Sequence, residues 1–477
     1  MKKITVIILL LLFVFVTKSQ NSFEFRISNS FYETTFITFE DFDNNFITIG
    51  GRSDTIGQPL LPLLINYTKP EDTIIHLISK EDSCVVLRFI INKPNGNYLF
   101  IGSLGFDDET GGLYIWETTT DYETIWETYY QLPEPYEFLE VLDYTIDGDN
   151  NIAVSGNASY SIDKVSYYYL FMGKVDMQGQ LLSFNIPEPY KRSISSSLLS
   201  KPDNSGYYLI GSSSYNLTLR EWIEFDWDLN ISDYGLFDWE NGVGGITSAK
   251  FLQNGNLLVE TNFQEGISLG LFDEDFNFLK DTLLTEGDDY VPFQNNSLDF
   301  TDPETIWIAS QNDDPYWTSG TKYYHLYILD SELNLKGLKY YGGNTKYFMM
   351  DLYATNDGGC ILSGMVPDTV GTLYTDIYIN KVMPEDVLTN AEDTPNPFDM
   401  DVNIFPNPFS EMINIKTIRK GLQFNLYTVT GNILFSKRLN LLNGTLSINV
   451  SSTSPGFYIY HITDNSRVIQ SGKLIKK

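Results

Sequence analysis

One pattern limits what this chain can fold into more than any other. A polar or glycine turn, about four apolar residues and then a small residue recur at an even interval. The copies read DNNFITIGG, NGNYLFIGS, GDNNIAVSGN, NSGYYLIGSS, NGNLLVET, PETIWIAS and DGGCILSG. Their small residues are Gly50, Gly102, Gly156, Gly211, Thr261, Ala309 and Gly364, spaced by 52, 54, 55, 50, 48 and 55. A period of this kind marks a stack of supersecondary units rather than a single irregular domain.

Each copy has the same anatomy. An apolar strand such as CVVLRFII or ITSAKFLQ precedes the turn, whose Asn-Gly, Asp-Asn or Gly-Gly pair tolerates the positive φ of a tight hairpin. The second strand runs into its small residue, where a backbone or a large neighbour can approach closely. A third strand (YYLFMGKVD, EWIEFDWD, YHLYILD) and a fourth (LLSFNIP, LKGLKYY) follow. Four antiparallel strands in about 50 residues make one propeller blade. The fold class expected is therefore all-β, a seven-bladed β-propeller over residues 20–386 followed by a small C-terminal β-sandwich. The seventh copy lacks a fourth strand, whereas SFEFRIS from Ser22 is one strand too many at the other end. Ser22–Ser28 is expected to complete the last blade and so remove an exposed edge.

The N-terminus, MKKITVIILLLLFVFVTKSQ, has Lys2 and Lys3 before an apolar run from Ile4 to Val16. That run is too short to span a bilayer and reads as a signal peptide over 1–19, cleaved before Gln20. No transmembrane segment is expected in the mature chain. Cys84 and Cys360 fall in non-adjacent units and are expected as two unpaired, buried thiols.

Aromatic residues make up 15% of the chain, which favours strands. The formal charge is −31, unevenly spread: from Asp401 onward there are 9 Lys/Arg against 3 Asp/Glu, a net of +6 that leaves −37 for the rest. An acidic body repels phosphate backbones, which argues against nucleic-acid binding.

Residues 387–401 form an acidic, proline-bearing linker, which resists packing. Beyond it come short alternating runs, MINIKTI, LQFNLYTV, NILFSKR, TLSINV, GFYIYHI and VIQSGKLIKK, with turn signals at Thr430-Gly431-Asn432 and Asn443-Gly444. The order NIFPNP, LYTVTGNILFSKRL, PGFYIYHI and GKLIKK resembles the type A C-terminal sorting domain of the type IX secretion system. Phe405, Pro406, Asn407 and Pro408 stand for its opening YPNP, with Phe405 in place of tyrosine. Tyr427 and Gly431 match its strand-turn, Gly456 and Tyr458 its next strand, and Lys473 and Lys476 its terminal K-x-x-K. The resemblance implies export by the Sec route, then passage through the outer membrane by type IX machinery reading residues 402–477. Release or surface attachment would follow. The upstream units likewise resemble repeats common in exported proteins of the Bacteroidetes, with ATNDGGCILSG at Ala354 nearest the pattern.

The residues give no catalytic constellation. His76 and His325 lie inside apolar strand runs and are expected to pack, and His461 lies in the tail. A glycosidase or lyase needs only two acids, and 62 acids give no basis for choosing a pair. Asp41 with Asp43, and Asp147 with Asp149, alternate as calcium ligands do, yet they also occupy hairpin turns where Asp belongs. The loop SQNDDPYWTSGTK sets Tyr316 and Trp317 beside Asp313 and Asp314, a pairing of flat apolar faces and acceptors that suits a sugar. Three classes of activity are compatible with these features: a binding or adhesion module for a glycan or protein, a carbohydrate-active enzyme, and a structural surface component.

Overall fold

The turn chemistry sets the local structure. In a computed structural model of the chain, the Asp41 hairpin closes with Asn44 N–H donating to the Asp41 carbonyl (3.1 Å) and Asp41 N–H donating to Asn45 (2.8 Å). The fourth turn residue takes a left-handed φ, 60° at Asn44 and 59° at Asn150, where asparagine and glycine are tolerated best. The same turn recurs at Asp147, Asp176, Asp226, Asp273 and Asp330. The structure describes residues 22–28, 31–54, 60–78, 83–106, 109–162, 165–187, 194–213, 220–239, 245–263, 266–284, 290–292, 296–312, 323–342, 345–367, 374–388, 402–405, 408–417, 422–428, 431–439, 444–451, 453–464 and 467–477. The segment read from the sequence as a signal peptide therefore lies outside the described residues.

After β1 (Phe23–Ile27), the first group of strands is β2 (Tyr32–Glu40), β3 (Phe46–Ser53), β4 (Leu61–Tyr67) and β5 (Ile74–Leu77). The second is β6 (Ser83–Asn92), β7 (Tyr98–Phe106), β8 (Glu109–Thr118) and β9 (Thr124–Gln131). The third is β10 (Phe138–Ile146), β11 (Ile152–Ile162), β12 (Val165–Val175) and β13 (Leu181–Asn185). The fourth is β14 (Ile194–Ser200), β15 (Tyr207–Ser213), β16 (Arg220–Phe225) and β17 (Ile231–Leu236). The fifth is β18 (Gly245–Phe251), β19 (Leu257–Phe263), β20 (Gly266–Phe272) and β21 (Phe278–Leu283). In the sixth, β22 (Tyr290–Pro292) and β23 (Leu298–Asp302) both pair with β24 (Thr305–Asn312), ahead of β25 (Tyr323–Leu329) and β26 (Leu335–Gly342). The last has β27 (Phe348–Ala354), β28 (Cys360–Pro367) and β29 (Thr375–Val382).

Within each group the strands pair antiparallel, in chain order except where β22 and β23 share β24, as propeller blades do. The leading strand of each group packs on the leading strand of the next, and β27 packs back on β2. The last group takes its fourth strand from the other end of the chain: β1 pairs antiparallel with β29, Phe23 opposite Lys381 and Ile27 opposite Ile377. Phe23, Phe25 and Ile27 pack on a core made by Phe46, Leu63, Ile65 and Tyr67 of the first group with Ile361, Ile377 and Ile379 of the last.

The small residue of the repeat has a steric cause. The leading strands β2, β6, β10 and β27 carry a β-bulge, and Gly50, Gly102, Gly156 and Gly364 pair with the residue just before it. A β-carbon at any of these four would overlap the carbonyl oxygen of Thr34, Val86, Glu140 or Phe348 respectively. Cys360 is buried and unpaired, as expected, and burial pushes its thiol pKa up. The Cys84 side chain lies outside the described residues.

Two compact units divide at residues 388 and 389. The start of the acidic stretch belongs to the first: Pro384–Val387 form one helical turn, and Val387 is buried with its carbonyl against Gly337. The second unit has one sheet of β30 (Val402–Phe405), β31 (Met412–Thr417) and β34 (Gly444–Asn449). The other consists of β33 (Ile433–Leu439), β32 (Leu422–Thr428), β35 (Gly456–Asp464) and β36 (Arg467–Lys476). Ile413, Ile415, Leu422, Phe424, Leu426, Ile448, Ile462 and Leu474 fill its core.

Candidate functional site

In the tail, strand alternation decides which motif residues face the core. Leu426 and Phe424 point inward on β32, which turns Tyr427 outward, where its ring lies 4.8 Å from that of His461. Gly431 closes the β32–β33 hairpin at φ 82°, with its N–H on the Thr428 carbonyl (2.9 Å). On β35 the alternation buries Tyr458, whose hydroxyl donates to the Ser454 carbonyl, and exposes Phe457 and Ile459. Gly456 opens that strand at φ 151°.

The two lysines of the K-x-x-K motif differ. Lys476 is 8% exposed, and its ammonium donates to the carbonyls of Val450 (2.6 Å), Thr453 (2.7 Å) and Ser451 (3.1 Å). Lys473 is exposed and holds its ammonium 4.0 Å above the Phe457 ring. Phe409, directly after the opening motif, is buried and zipped to the final strand by Phe409 N–H to the Ile475 carbonyl (2.8 Å) and Lys477 N–H to the Phe409 carbonyl (2.9 Å). Pro408 is exposed. Pro406 and Asn407 lie outside the described residues, as does the Phe405 side chain, although Phe405 ends β30.

The calcium candidates are placed by the hairpins. One Asp41 carboxylate oxygen accepts the N–H groups of Asp43 (2.9 Å) and Asn45 (2.8 Å), and the other accepts the Asn45 side chain and the Tyr98 hydroxyl (both 2.8 Å). Asp147 repeats this with Asp149 (2.9 Å), Asn151 (2.8 Å) and the Tyr207 hydroxyl (2.7 Å). Both carboxylates thus hold a turn and clamp it to the neighbouring group. Among the described residues no cluster of three or more His, Cys, Asp or Glu could hold a metal ion. The sugar candidates Asp313, Asp314, Tyr316 and Trp317 lie outside the described residues.

Two features of the body are not visible as motifs. Along the leading strands, side chains accept backbone N–H groups from the next group: Asp143 from Leu198 (2.6 Å), Ser197 from Ala249 (2.8 Å), Asp299 from Ala354 (2.8 Å) and Asp351 from Thr38 (2.7 Å). Burial pushes Asp143 up to about 6 and raises Asp351 well above the carboxylate range. Such shifts suit acid–base chemistry, but here each carboxylate also fastens one sheet to the next.

The second feature is a tyrosine platform. Tyr160 on β11 stacks on Tyr167 (5.4 Å, 22°) and Tyr169 (5.6 Å, 18°) of β12, and Tyr136 meets Tyr160 and Tyr169 edge-on. These two strands are the longest of the described body, 11 residues each. Tyr167 is 41% exposed at their far end. The histidines do pack: His325 is buried against Tyr340 (4.6 Å) with its pKa pushed down by burial to about 3, and His76 meets Tyr122 (4.6 Å).

Among solved structures, the chain is similar to a protein of unknown function from Dyadobacter fermentans (8% identity, TM-score 0.43, covering 76% of this chain and 98% of that one). It is similar to PorZ, described as an essential surface component of the type-IX secretion system of Porphyromonas gingivalis (12%, TM-score 0.34, 93% of this chain and 51% of that one). It is also similar to a subtype N10 neuraminidase-like protein of A/little yellow-shouldered bat/Guatemala (9%, TM-score 0.37, 76% and 97%). No curated protein matches the sequence. Among the described residues no helix is long and apolar enough to cross a membrane. The tail has a family: residues 403–477 match the model for the secretion system C-terminal sorting domain.

Proposed function

We propose that this is an exported binding protein, a seven-bladed propeller carried across the outer membrane by the type IX machinery through its tail. The match of residues 403–477 to a sorting domain carries the export reading. After removal of an N-terminal signal, the protein is released or held at the cell surface. The body acts by recognition: the buried carboxylates of Asp143, Asp299 and Asp351 are engaged in joining sheets, whereas the Tyr136–Tyr160–Tyr167–Tyr169 platform offers stacked rings on the β11–β12 hairpin. Flat rings that carry phenolic hydroxyls suit a neutral sugar. The loop carrying Asp313, Asp314, Tyr316 and Trp317 would supply a second contact of the same chemistry, and a calcium ion at the Asp41 and Asp147 turns is not needed for either.

The test uses the full-length chain lacking only its export signal, screened against immobilised polysaccharides. Retention without depolymerisation is expected. Tyr167→Ala should weaken retention about tenfold, the scale of one stacked ring. Depolymerisation would make the protein an enzyme, and failure to retain any polysaccharide would leave it a structural component.

A further inference from the structure

The sorting motif divides by orientation into residues that build the tail and residues that it displays. Tyr458, Lys476 and Phe409 are buried, and Gly431 and Gly456 set turns. The outward face of the β33-β32-β35-β36 sheet is different. It carries Tyr427, Ile433 (62% exposed), Phe457 (52% exposed), Ile459 (39% exposed), Lys473 and Arg438. Cross-strand register places these together: Tyr427 pairs with both Ile433 and Ile459, and Ile459 pairs with Lys473. So large an apolar strip is unusual on a module of this size unless something covers it.

We propose that this face is the surface the export machinery reads, with Phe457, Ile459 and Lys473 at its centre. The inference rests on the export reading and specifies its contact. Its occupant is a protein component of that machinery presenting apolar side chains rimmed by carboxylates. The chemistry follows from the face itself, since Lys473 and Arg438 are cationic and the tail as a whole carries a net of +6. Lys476, although part of the same terminal motif, contributes only by tying the 450–453 turn to the last strand.

The experiment expresses full-length variants in the producing cell and compares surface and released protein with periplasmic protein. Thermal melting of each purified chain is measured in parallel. Phe457→Ser with Lys473→Glu should keep the wild-type melting profile and lower export at least tenfold. Lys476→Ala should lower export only together with melting, because three carbonyls lose their donor. Should the double variant melt early, the milder Lys473→Gln, made at an exposed position, decides the matter. Export of folded face variants at the wild-type level would overturn the proposal, and deletion of the whole tail separates that outcome from failure of the export reading. Loss of export confined to Lys476→Ala would also overturn it.

Discussion

Removal of β1 is expected to open the body at one junction before the rest unfolds. Arg26 forms an ion pair with Asp376, which is almost wholly buried, and also donates to the Pro367 carbonyl (2.7 Å). Arg26→Ala takes the cation from that carboxylate, which still accepts from the Ser28 hydroxyl (2.8 Å), and should cost about 3 kcal/mol, as breaking one side of a buried pair does. Phe25→Ala removes a ring packed 5.3 Å from Tyr67 in a core shared by the first and last groups, costing about 2 kcal/mol more. Combined, the two should lower the melting temperature and speed hydrogen exchange first in Phe348–Val382 and Tyr32–Tyr67. Uniform exchange across all groups would show that β1 does not lock the junction.

Glu260 carries the second large effect. Its carboxyl is fully buried on β19 and, among the described residues, receives only hydroxyl donors, Thr247 (3.0 Å) and Ser297, both on one oxygen. Burial pushes its pKa up to about 7, against the partial opposition of those two hydrogen bonds. Because the folded pKa lies above the unfolded one, the folded state holds the proton longer. Stability therefore falls as pH rises from about 4.5 to about 7 and then levels off. The loss amounts to about 3 kcal/mol. Glu260→Gln should match the wild type near pH 4 and exceed it by about that amount at pH 8, seen as a difference in melting between the two proteins. An equal offset at both pH values would mean that Glu260 is not protonated on folding.

Much of the architecture was legible because its signals are local. The turn pairs, the alternating runs and the small residue within each second strand all follow from the sterics of neighbouring strands, and a β-carbon at Gly156 would meet the Glu140 carbonyl. The extra strand at Ser22 was legible by counting. Other features depend on partners far along the chain. Tyr122, Leu229, Phe276 and Leu333 occupy left-handed turn positions at φ of 56–66°, where their side chains are disfavoured. They persist because each wedges into another group: Phe276 against Tyr208 (4.9 Å), and Leu333 against Leu258 and Leu271.

The acids show the same limit. Asp143, Asp299 and Asp351 look like any of 62 acids until the bulged strands bring them to a neighbouring N–H. The alternation of Asp41 with Asp43 resembles a cation loop in sequence, and only the Tyr98 hydroxyl shows the turn being clamped across a junction. In the tail, motif order identified the domain. Only pairing register separates the displayed Lys473 from the buried Lys476.

Body and tail divide the labour of binding and export, and one fractionation tests that division. Cells producing the chain without Val402–Lys477 should retain a folded body in the periplasm, with little at the surface or in the medium. Delivery of that shortened chain to the surface or medium at the full-length level would contradict the addressing role of the tail.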